Sequence, residues 1–410
     1  MNILLINHYA GSPTYGMEYR PYYIGQSLIR QGHHLTILAS SFSHLRRKNP
    51  VSKKRIFKEN VAGIDYIWVN TPHYKNNLGR IINHFYFILQ LYIYESQIFS
   101  NVKPDFILAS STYMLDAPFA RRMSDKYSIK VAYEVKDLWP LTLIELGKMS
   151  KYNPYISLLQ IAENYMYNHM DAIITTLPDA KEYMAKHGVT SDRYFYIPNG
   201  VWGEDWNGVS QDLPDEHQAL LTNLRRDKKF IIGYFGSHGV SNALEMLINS
   251  AELLVNTNIY IILVGQGSEK HNLQKMVRER NIQNVYFLPL ISRTQIPTLL
   301  NNVDACYLGW NKIDIYKYGI SPNKLLDYMM AAKPIIHALP IGRDPVAEIG
   351  CGLSISTNNA EDIAQAMIQL SRLQEAERIH MGENGRRYVL ANHDYNILST
   401  KLLDTIRSLS

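Results

Sequence analysis

At 410 residues the chain exceeds a single small core and suits two or three domains, each able to bury its own interior. Apolar residues at 46% and charged residues at 19% exclude a disordered or fibrous chain, and a net charge of +5 is too modest to call for a nucleic-acid partner. Two cysteines, Cys306 and Cys351, make neither a disulfide framework nor a metal-ligand spacing, which fits buried thiols in a reducing cytoplasm.

The first residues, Met1 to Asn7, lack a basic n-region and are too short an apolar run for a signal peptide; they predict a buried parallel strand over 2–7. A loop with Gly11 and Gly16 follows, then a helix from about Pro21 to Gln31 and a strand at 35–39. Within that loop, Tyr15, Gly16, Glu18 and Arg20 mix a flexible turn, a carboxylate and a guanidinium at a strand end. Arg20 would suit bidentate contact with a phosphate or carboxylate. Arg46, Arg47, Lys48, Lys53, Lys54, Arg55 and Lys58 form a basic run, either a solvated loop or a contact with an anionic membrane, where each cation adds roughly 1 kcal/mol.

The stretch Ile81 to Phe99 is rich in aromatics but interrupted by Asn83, His84, Gln90, Glu95 and Gln97, so it does not span a bilayer. Its rings predict core packing, with an interfacial helix as the alternative; any membrane association is then peripheral. Further strands are expected at 64–69, 105–109, 130–134, 171–175 and 194–197. Beyond the strand at 130–134, Glu134, Lys136 and Asp137 place two acids and a cation before Pro140. They read as a buried ion-pair group or as an acid/base group facing an acceptor.

Trp202 to Lys229 is polar and aperiodic, a linker with room for one short helix. Strands then recur at 230–235, 259–264, 285–288, 304–308, 335–338 and 353–356, with helices between. Such alternation predicts parallel sheets of βαβ units in two doubly wound α/β domains that face each other across a cleft. The first covers 1–200, a linker 201–229, the second 230–391, and the helix 392–410 returns to the first. Ligands are expected beyond the carboxyl ends of the strands.

Gly236-Ser237-His238-Gly239 follows the strand at 230–235, and Gly265-Gln266-Gly267 the next one. Glycine there either lets backbone approach a phosphate or only makes a tight turn, and Gly265 would leave room for a base or sugar. The G-x-G-x-x-G spacing is missing, as are an acid at the second strand's end, a Walker lysine loop and H-E-x-x-H. Nicotinamide dehydrogenases, nucleotide triphosphatases and zinc peptidases are thereby disfavoured. Farther on, Ser321 suits an N-cap and Pro322 the first helical position. The helix's first turn then offers unpaired N–H groups to phosphate. Lys324 in that turn opposes the helix dipole by about 0.3–1 kcal/mol unless it faces an anion. Asp327, on the same face, could reach ribose hydroxyls; an ordinary Lys–Asp surface pair is the competing reading.

Together these pieces resemble the retaining glycosyltransferases of family 4, with GT-B architecture. The likeness is carried by Gly32-His33, Ile197-Pro198-Asn199-Gly200-Val201, Val264-Gly265-Gln266-Gly267, Asn284 to Pro289 and Ser321 to Pro334. Asn7 to Pro13 and Tyr318 to Lys324 resemble, more narrowly, O-antigen and capsule transferases of the N-acetyl-L-fucosamine type. The resemblance implies a UDP-sugar donor, a polyprenyl-diphosphate-linked saccharide acceptor, no metal or other cofactor, and a peripheral place at the inner face of the cytoplasmic membrane. It implies donor binding by Gly236, Ser237, Gly265, Leu290, Ser321, Pro322, Asn323, Lys324 and Asp327. Acceptor contacts would come from Tyr15, Gly16, Glu18 and Arg20, and catalysis from Lys324 with Lys136 and Asp137. The chain departs from the family at Gly319, which replaces the first Glu of E-x7-E, and at Asp327, which replaces the second. The family's Arg and Lys are also missing around Ser237 to Asn242. A UDP-sugar epimerase and a non-catalytic sugar-nucleotide-binding partner are the alternatives.

Overall fold

The structure, a computed structural model, describes residues 1–207, 211–356 and 359–409. Its contacts divide the chain into two units. The first is Met1–Asn199 with Tyr318–Ser321 and Tyr395–Ser410, and the second is Gly200–Lys317 with Pro322–Asp394.

The first unit is built on β1 (Asn2–Ile6), β2 (His34–Ser40), β3 (Ile56–Val61), β4 (Ile64–Val69), β5 (Phe106–Ala109), β6 (Lys130–Val135), β7 (Ala172–Thr175) and β8 (Tyr194–Tyr196). They lie in the order β3-β4-β2-β1-β5-β6-β7-β8. Every pairing is parallel except that of β3 with β4. The strands β1, β5 and β7 are almost wholly apolar and buried, as helices on both faces of a parallel sheet require. The edge strand β3 begins at the end of the basic run, where a loop was one of the two expectations. Its Lys58 and Asn60 are exposed, as suits a charged sheet edge, and this polarity hid the strand from a hydrophobic pattern. The helix Tyr395–Ser408 packs on the helix Arg20–Arg30: Tyr23 and Tyr395 stack with centroids 5.3 Å apart, and Ser27 Oγ lies 2.5 Å from Ser399 Oγ.

The helix Asn77–Ile93 departs from expectation. Its inner face buries Asn83, His84, Phe87, Gln90 and Leu91, while Leu78, Ile82, Phe85, Leu89 and Ile93 are 46–67% exposed. Core packing therefore holds for Phe87 and Phe99 but not for Phe85 and Tyr92. The polar inner residues are held by hydrogen bonds, Asn83 Nδ2 donating to Thr71 Oγ1 at 3.0 Å and to Pro72 O at 2.6 Å. Among the described residues, no helix is long and apolar enough to cross a membrane.

In the second unit β9 (Phe230–Phe235), β10 (Ile259–Val264), β11 (Val285–Leu288), β12 (Ala305–Gly309), β13 (Ile335–Ala338) and β14 (Gly352–Ile355) form a wholly parallel sheet. Its order is β11-β10-β9-β12-β13-β14. Tyr234, Leu247, Ile261, Leu263, Tyr307 and Met367 belong to its core. The polar stretch before β9 holds a 12-residue helix, Asp215–Arg226, anchored by His217, Leu221 and Leu224.

Candidate active site

The second sheet runs outward from β9 to β11, then returns to lay β12 on the other side of β9. Ligands in open α/β sheets gather beyond the carboxyl ends of the strands at such a reversal. Here β9 ends in Gly236, and the helix Asn323–Met330 follows β12. Tyr328 ties the two together, its hydroxyl accepting the Phe235 N–H at 3.0 Å. The helix begins one residue later than expected: Pro322 is the N-cap, extended at φ −78° and ψ 128°, and Asn323 opens the helix. Ser321 lies in the other unit, where its carbonyl oxygen accepts from Asn199 Nδ2 at 2.9 Å.

Lys324 sits in the first turn, as the pattern predicts. Its Nζ donates to Tyr234 Oη at 2.7 Å and to Asn242 Oδ1 at 2.5 Å, and it lies 4.6 Å from the Tyr234 ring centroid. Asn242 in turn donates through Nδ2 to Ser237 O at 3.0 Å, so one amide couples the loop after β9 to the lysine. No carboxylate pairs with Lys324 among the described residues, and loss of water around the ammonium pulls its pKa down to about 7. A competing Lys–Asp surface pair is thus absent: Asp327 is buried and bonded through Oδ2 to Arg293 Nη1 at 2.6 Å. Its Oδ1 is closed off from solvent and has no hydrogen-bond partner among the described residues.

The glycines have different duties. Gly236, at φ +140°, leaves space for Lys324, whose Cε would stand 3.4 Å from an added Cβ. The room expected above Gly265 is taken by protein, since a Cβ there would lie 1.9 Å from Gly236 O. Gly265 thus lets the ends of β9 and β10 approach, and Lys270 fastens the end of β10 to that of β11 by donating to Gly265 O at 2.8 Å and Leu288 O at 3.2 Å. Ser237, Leu290 and Asn323 are exposed around this point. His238 is fully buried, and neither ring nitrogen has a partner. Burial, then the charges of Lys270 and Lys324, lower its pKa to about 4.

Three residues of this group escaped the sequence: Tyr234, Asn242 and Arg293. His238 stood in the glycine motif without a role, and Tyr234 left a trace only as the single hydroxyl in the apolar run Phe230 to Phe235.

In the first unit, the structure alters the acceptor set. Arg20 and Glu134 are each 4% exposed and paired at 2.8 Å; Arg20 also donates to Ile197 O at 2.9 Å and to Pro198 O. Arg20 is thus buried and committed to Glu134 and to the chain at 197 and 198, and does not present a fork to an acceptor. Tyr15 is likewise committed, donating to Glu59 Oε1 at 2.6 Å. Gly16 is packed so tightly that a Cβ would meet Arg47 N at 2.9 Å. Glu18 and Asp137 remain reachable by solvent. Lys136 Nζ bonds Glu18 Oε1 at 2.8 Å and lies 3.7 Å from Glu134 Oε2, so much of the group is the buried ion-pair alternative. Asp137 has its pKa raised by partial loss of water and then by the negative Glu18.

Two matched families divide the chain between them. Residues 14–202 match Glycosyltransferase Family 4, and residues 221–388 match Glycosyl transferases group 1. The fold is shared with sucrose-phosphate synthase from Thermosynechococcus elongatus, at TM-score 0.76 and 15% identity over 100% of this chain and 99% of that one. It is shared as well with Anabaena Alr3699/HepE, solved with UDP and glucose, at TM-score 0.68 and 13% identity over 100% of both chains. Identities so low speak to fold alone. Together the two sheets and the two matches define a glycosyltransferase with the GT-B fold. The chain belongs to family 4 of those enzymes. Over 215 residues it is 28% identical to the colanic acid biosynthesis glycosyl transferase WcaI of Escherichia coli K12, a match spanning about half of either chain.

Proposed function

We propose that this enzyme moves a sugar from a UDP-sugar to a polyprenyl-diphosphate-linked saccharide with retention, during O-antigen or capsule synthesis at the inner face of the cytoplasmic membrane. The donor sugar in this reading is N-acetyl-L-fucosamine or another N-acetylated sugar. One observation carries the donor assignment: a lysine with no counterion among the described residues, in the first turn of a helix that meets Gly236 at the reversal of the second sheet. Departure of a nucleoside diphosphate builds negative charge on the β-phosphate while the sugar becomes oxocarbenium-like. A fixed ammonium and helix N–H groups at that oxygen stabilise the separation.

In this proposal Gly236, Ser237, Pro322, Asn323 and Lys324 surround the diphosphate, Leu290 borders the base, and Oδ1 of Asp327 takes a ribose hydroxyl. The acceptor hydroxyl attacks the face that the phosphate leaves, and the departing oxygen helps to remove its proton. Glu18 and Asp137 are the acceptor-side carboxylates. The HepE complex with UDP and the WcaI name support the donor and the pathway class respectively.

The test is a panel of UDP-sugars, UDP-N-acetyl-L-fucosamine included, with a lipid-linked saccharide. UDP should appear in proportion to a lengthened saccharide, and Lys324→Ala should cut turnover by about 10²-fold or more. Near-normal turnover in that variant would remove Lys324 from the mechanism. An altered sugar nucleotide without a longer saccharide would turn the assignment toward an epimerase.

A further inference from the structure

The first unit holds a cation that the donor chemistry does not use. Arg80 lies near the start of the helix Asn77–Ile93, half-buried, and its guanidinium has no hydrogen bond or ion pair among the described residues. Its Nε is closed off from solvent. Five rings feel its charge: Tyr9, His44, Tyr74, His84 and Tyr155. They are linked by hydrogen bonds, Tyr9 Oη to His84 Nε2 at 2.5 Å, His84 Nδ1 to Tyr155 Oη at 3.3 Å, and His44 Nδ1 to Tyr74 Oη at 2.7 Å. None has a carboxylate among the leading charges that act on it. Burial, followed by the charges of Arg80 and His44, holds His84 at about 3, a neutral ring at ordinary pH.

Topology explains the gathering. Tyr9 follows β1, His44 follows β2 and Tyr74 follows β4, all beyond carboxyl ends of the first sheet. Tyr155 lies in the first turn of the helix Pro154–His169, which comes after β6. Open α/β sheets place ligands at those ends. A half-buried guanidinium without a partner is unfavourable until an anion meets it, and its planar fork suits phosphate. Phenol and imidazole groups can supply the remaining hydrogen bonds.

The surroundings suit a lipid phosphate better than a soluble one. Leu78, Ile82, Phe85, Leu89 and Ile93 form an exposed apolar stripe at helical spacing, on the side of the helix away from Arg80. Six exposed cations (Arg47, Lys48, Lys53, Lys54, Arg55 and Lys58) lie in the segment before and within β3. Arg55 holds that segment against the helix by donating to Tyr86 Oη at 2.5 Å. We propose that Arg80 and the rings around it bind the diphosphate of a prenyl-linked acceptor, whose hydrocarbon runs along the outer face of the helix Asn77–Ile93. This rests on the lipid-linked acceptor of the proposed function and assigns it a place.

The probe is farnesyl diphosphate, a short prenyl diphosphate, binding to the whole chain by calorimetry beside farnesol, inorganic pyrophosphate and UDP. Farnesyl diphosphate should bind more tightly than farnesol or pyrophosphate. Arg80→Gln should weaken it tenfold or more and leave UDP binding unchanged. Leu78→Ser with Ile82→Ser should weaken farnesyl diphosphate but not pyrophosphate. Arg80 has no hydrogen-bond or ion-pair partner to lose among the described residues, so Arg80→Gln should melt no lower than the parent. If it does melt lower, Arg80→Lys, which keeps the charge without the fork, should bind with intermediate affinity, and parental affinity there overturns the proposal. Undiminished binding in a folded Arg80→Gln also overturns it, as does pyrophosphate binding as tightly as farnesyl diphosphate. Displacement of the probe by UDP would place it in the donor site and overturn it too. The donor assignment is scored separately, by UDP binding and its dependence on Lys324.

Discussion

The ammonium of Lys324 stands 2.7 Å from the hydroxyl of Tyr234 and has no carboxylate beside it among the described residues. Tyr234 and Asn242 accept its hydrogens without neutralising its charge, so whatever positive charge the protonated form carries is left for an anion. Arg293 and Asp327, one helical turn along, do neutralise each other in part. Two cations near one helix therefore differ in duty: Arg293 orients the acid, and Lys324 waits for phosphate.

A lysine held at about 7 should make donor binding take up a proton. An ordinary lysine releases its proton near about 10.4, so at pH 8.5 the free folded enzyme has mostly lost it and a bound diphosphate should restore it. Calorimetry of UDP binding in buffers of different ionisation enthalpy should show nearly one proton taken up at pH 8.5 and none from this group at pH 6. Lys324→Met should abolish the uptake. For stability the sign is opposite to that of a salt-bridged lysine. Between about 7 and 10 the unfolded chain binds the extra proton, so the unliganded fold gains stability as pH rises through that window. Pairing of uptake with an unaltered Lys324→Met profile would assign the proton to another group.

The acid absent at position 319 has a steric cause. Gly319 has φ +91°, and a Cβ there would lie 2.5 Å from both Cγ and Cδ of Pro178. The segment is fixed further by the Asp179 N–H, which donates to Tyr318 O at 3.2 Å. Restoring the family residue with Gly319→Glu should cost about 1–3 kcal/mol in backbone strain and a similar amount in overpacking. The expected outcome is a melting midpoint lowered by several degrees, with UDP bound no more tightly. Parental melting together with tighter UDP binding would show that the segment can yield.

Much of this architecture was legible because apolar runs such as Asn2 to Ile6 and Phe230 to Phe235 can only be buried on both sides. The lysine at the helix start was legible because it contradicts the dipole. Other features were hidden by chemistry that a linear pattern does not carry. The strand β3 is polar along an exposed edge. The inner face of Asn77–Ile93 is held partly by Asn83 and His84 through hydrogen bonds, so polar residues went inside while Phe85 stayed exposed. Arg293 is 34 residues from Asp327, with no periodicity to connect them. Gly265 and Arg20 share a different problem: glycine and arginine suit ligands and protein backbone equally well, and here the protein occupies both.

Arg20 therefore belongs to the fold. Both it and Glu134 are almost inaccessible, and removing one leaves the other charged and buried. Arg20→Ala should destabilise the first unit by about 3–5 kcal/mol. The measurable result is a lost or early unfolding transition, whereas an acceptor contact would raise the acceptor KM in a protein of parental stability. The second pattern would return Arg20 to the acceptor site.

The outer face of Asn77–Ile93 and the basic segment beside it should act on a bilayer in separable ways. Each cation near an anionic surface contributes about 1 kcal/mol, so Lys53→Gln, Lys54→Gln and Arg55→Gln together should weaken binding to phosphatidylglycerol vesicles by about 10²-fold at low salt. That contribution should fade in high salt, as screening shortens the reach of surface charge. The apolar contribution should not fade: each of Leu78, Ile82 and Leu89 is more than half exposed, and burying such a side chain contributes up to about 1.5–3 kcal/mol. Leu78→Ser, Ile82→Ser and Leu89→Ser in one chain should therefore reduce vesicle sedimentation at low and high salt alike. Sedimentation of both variants at the parental level would place the membrane contact, and the lipid end of the acceptor with it, on another surface.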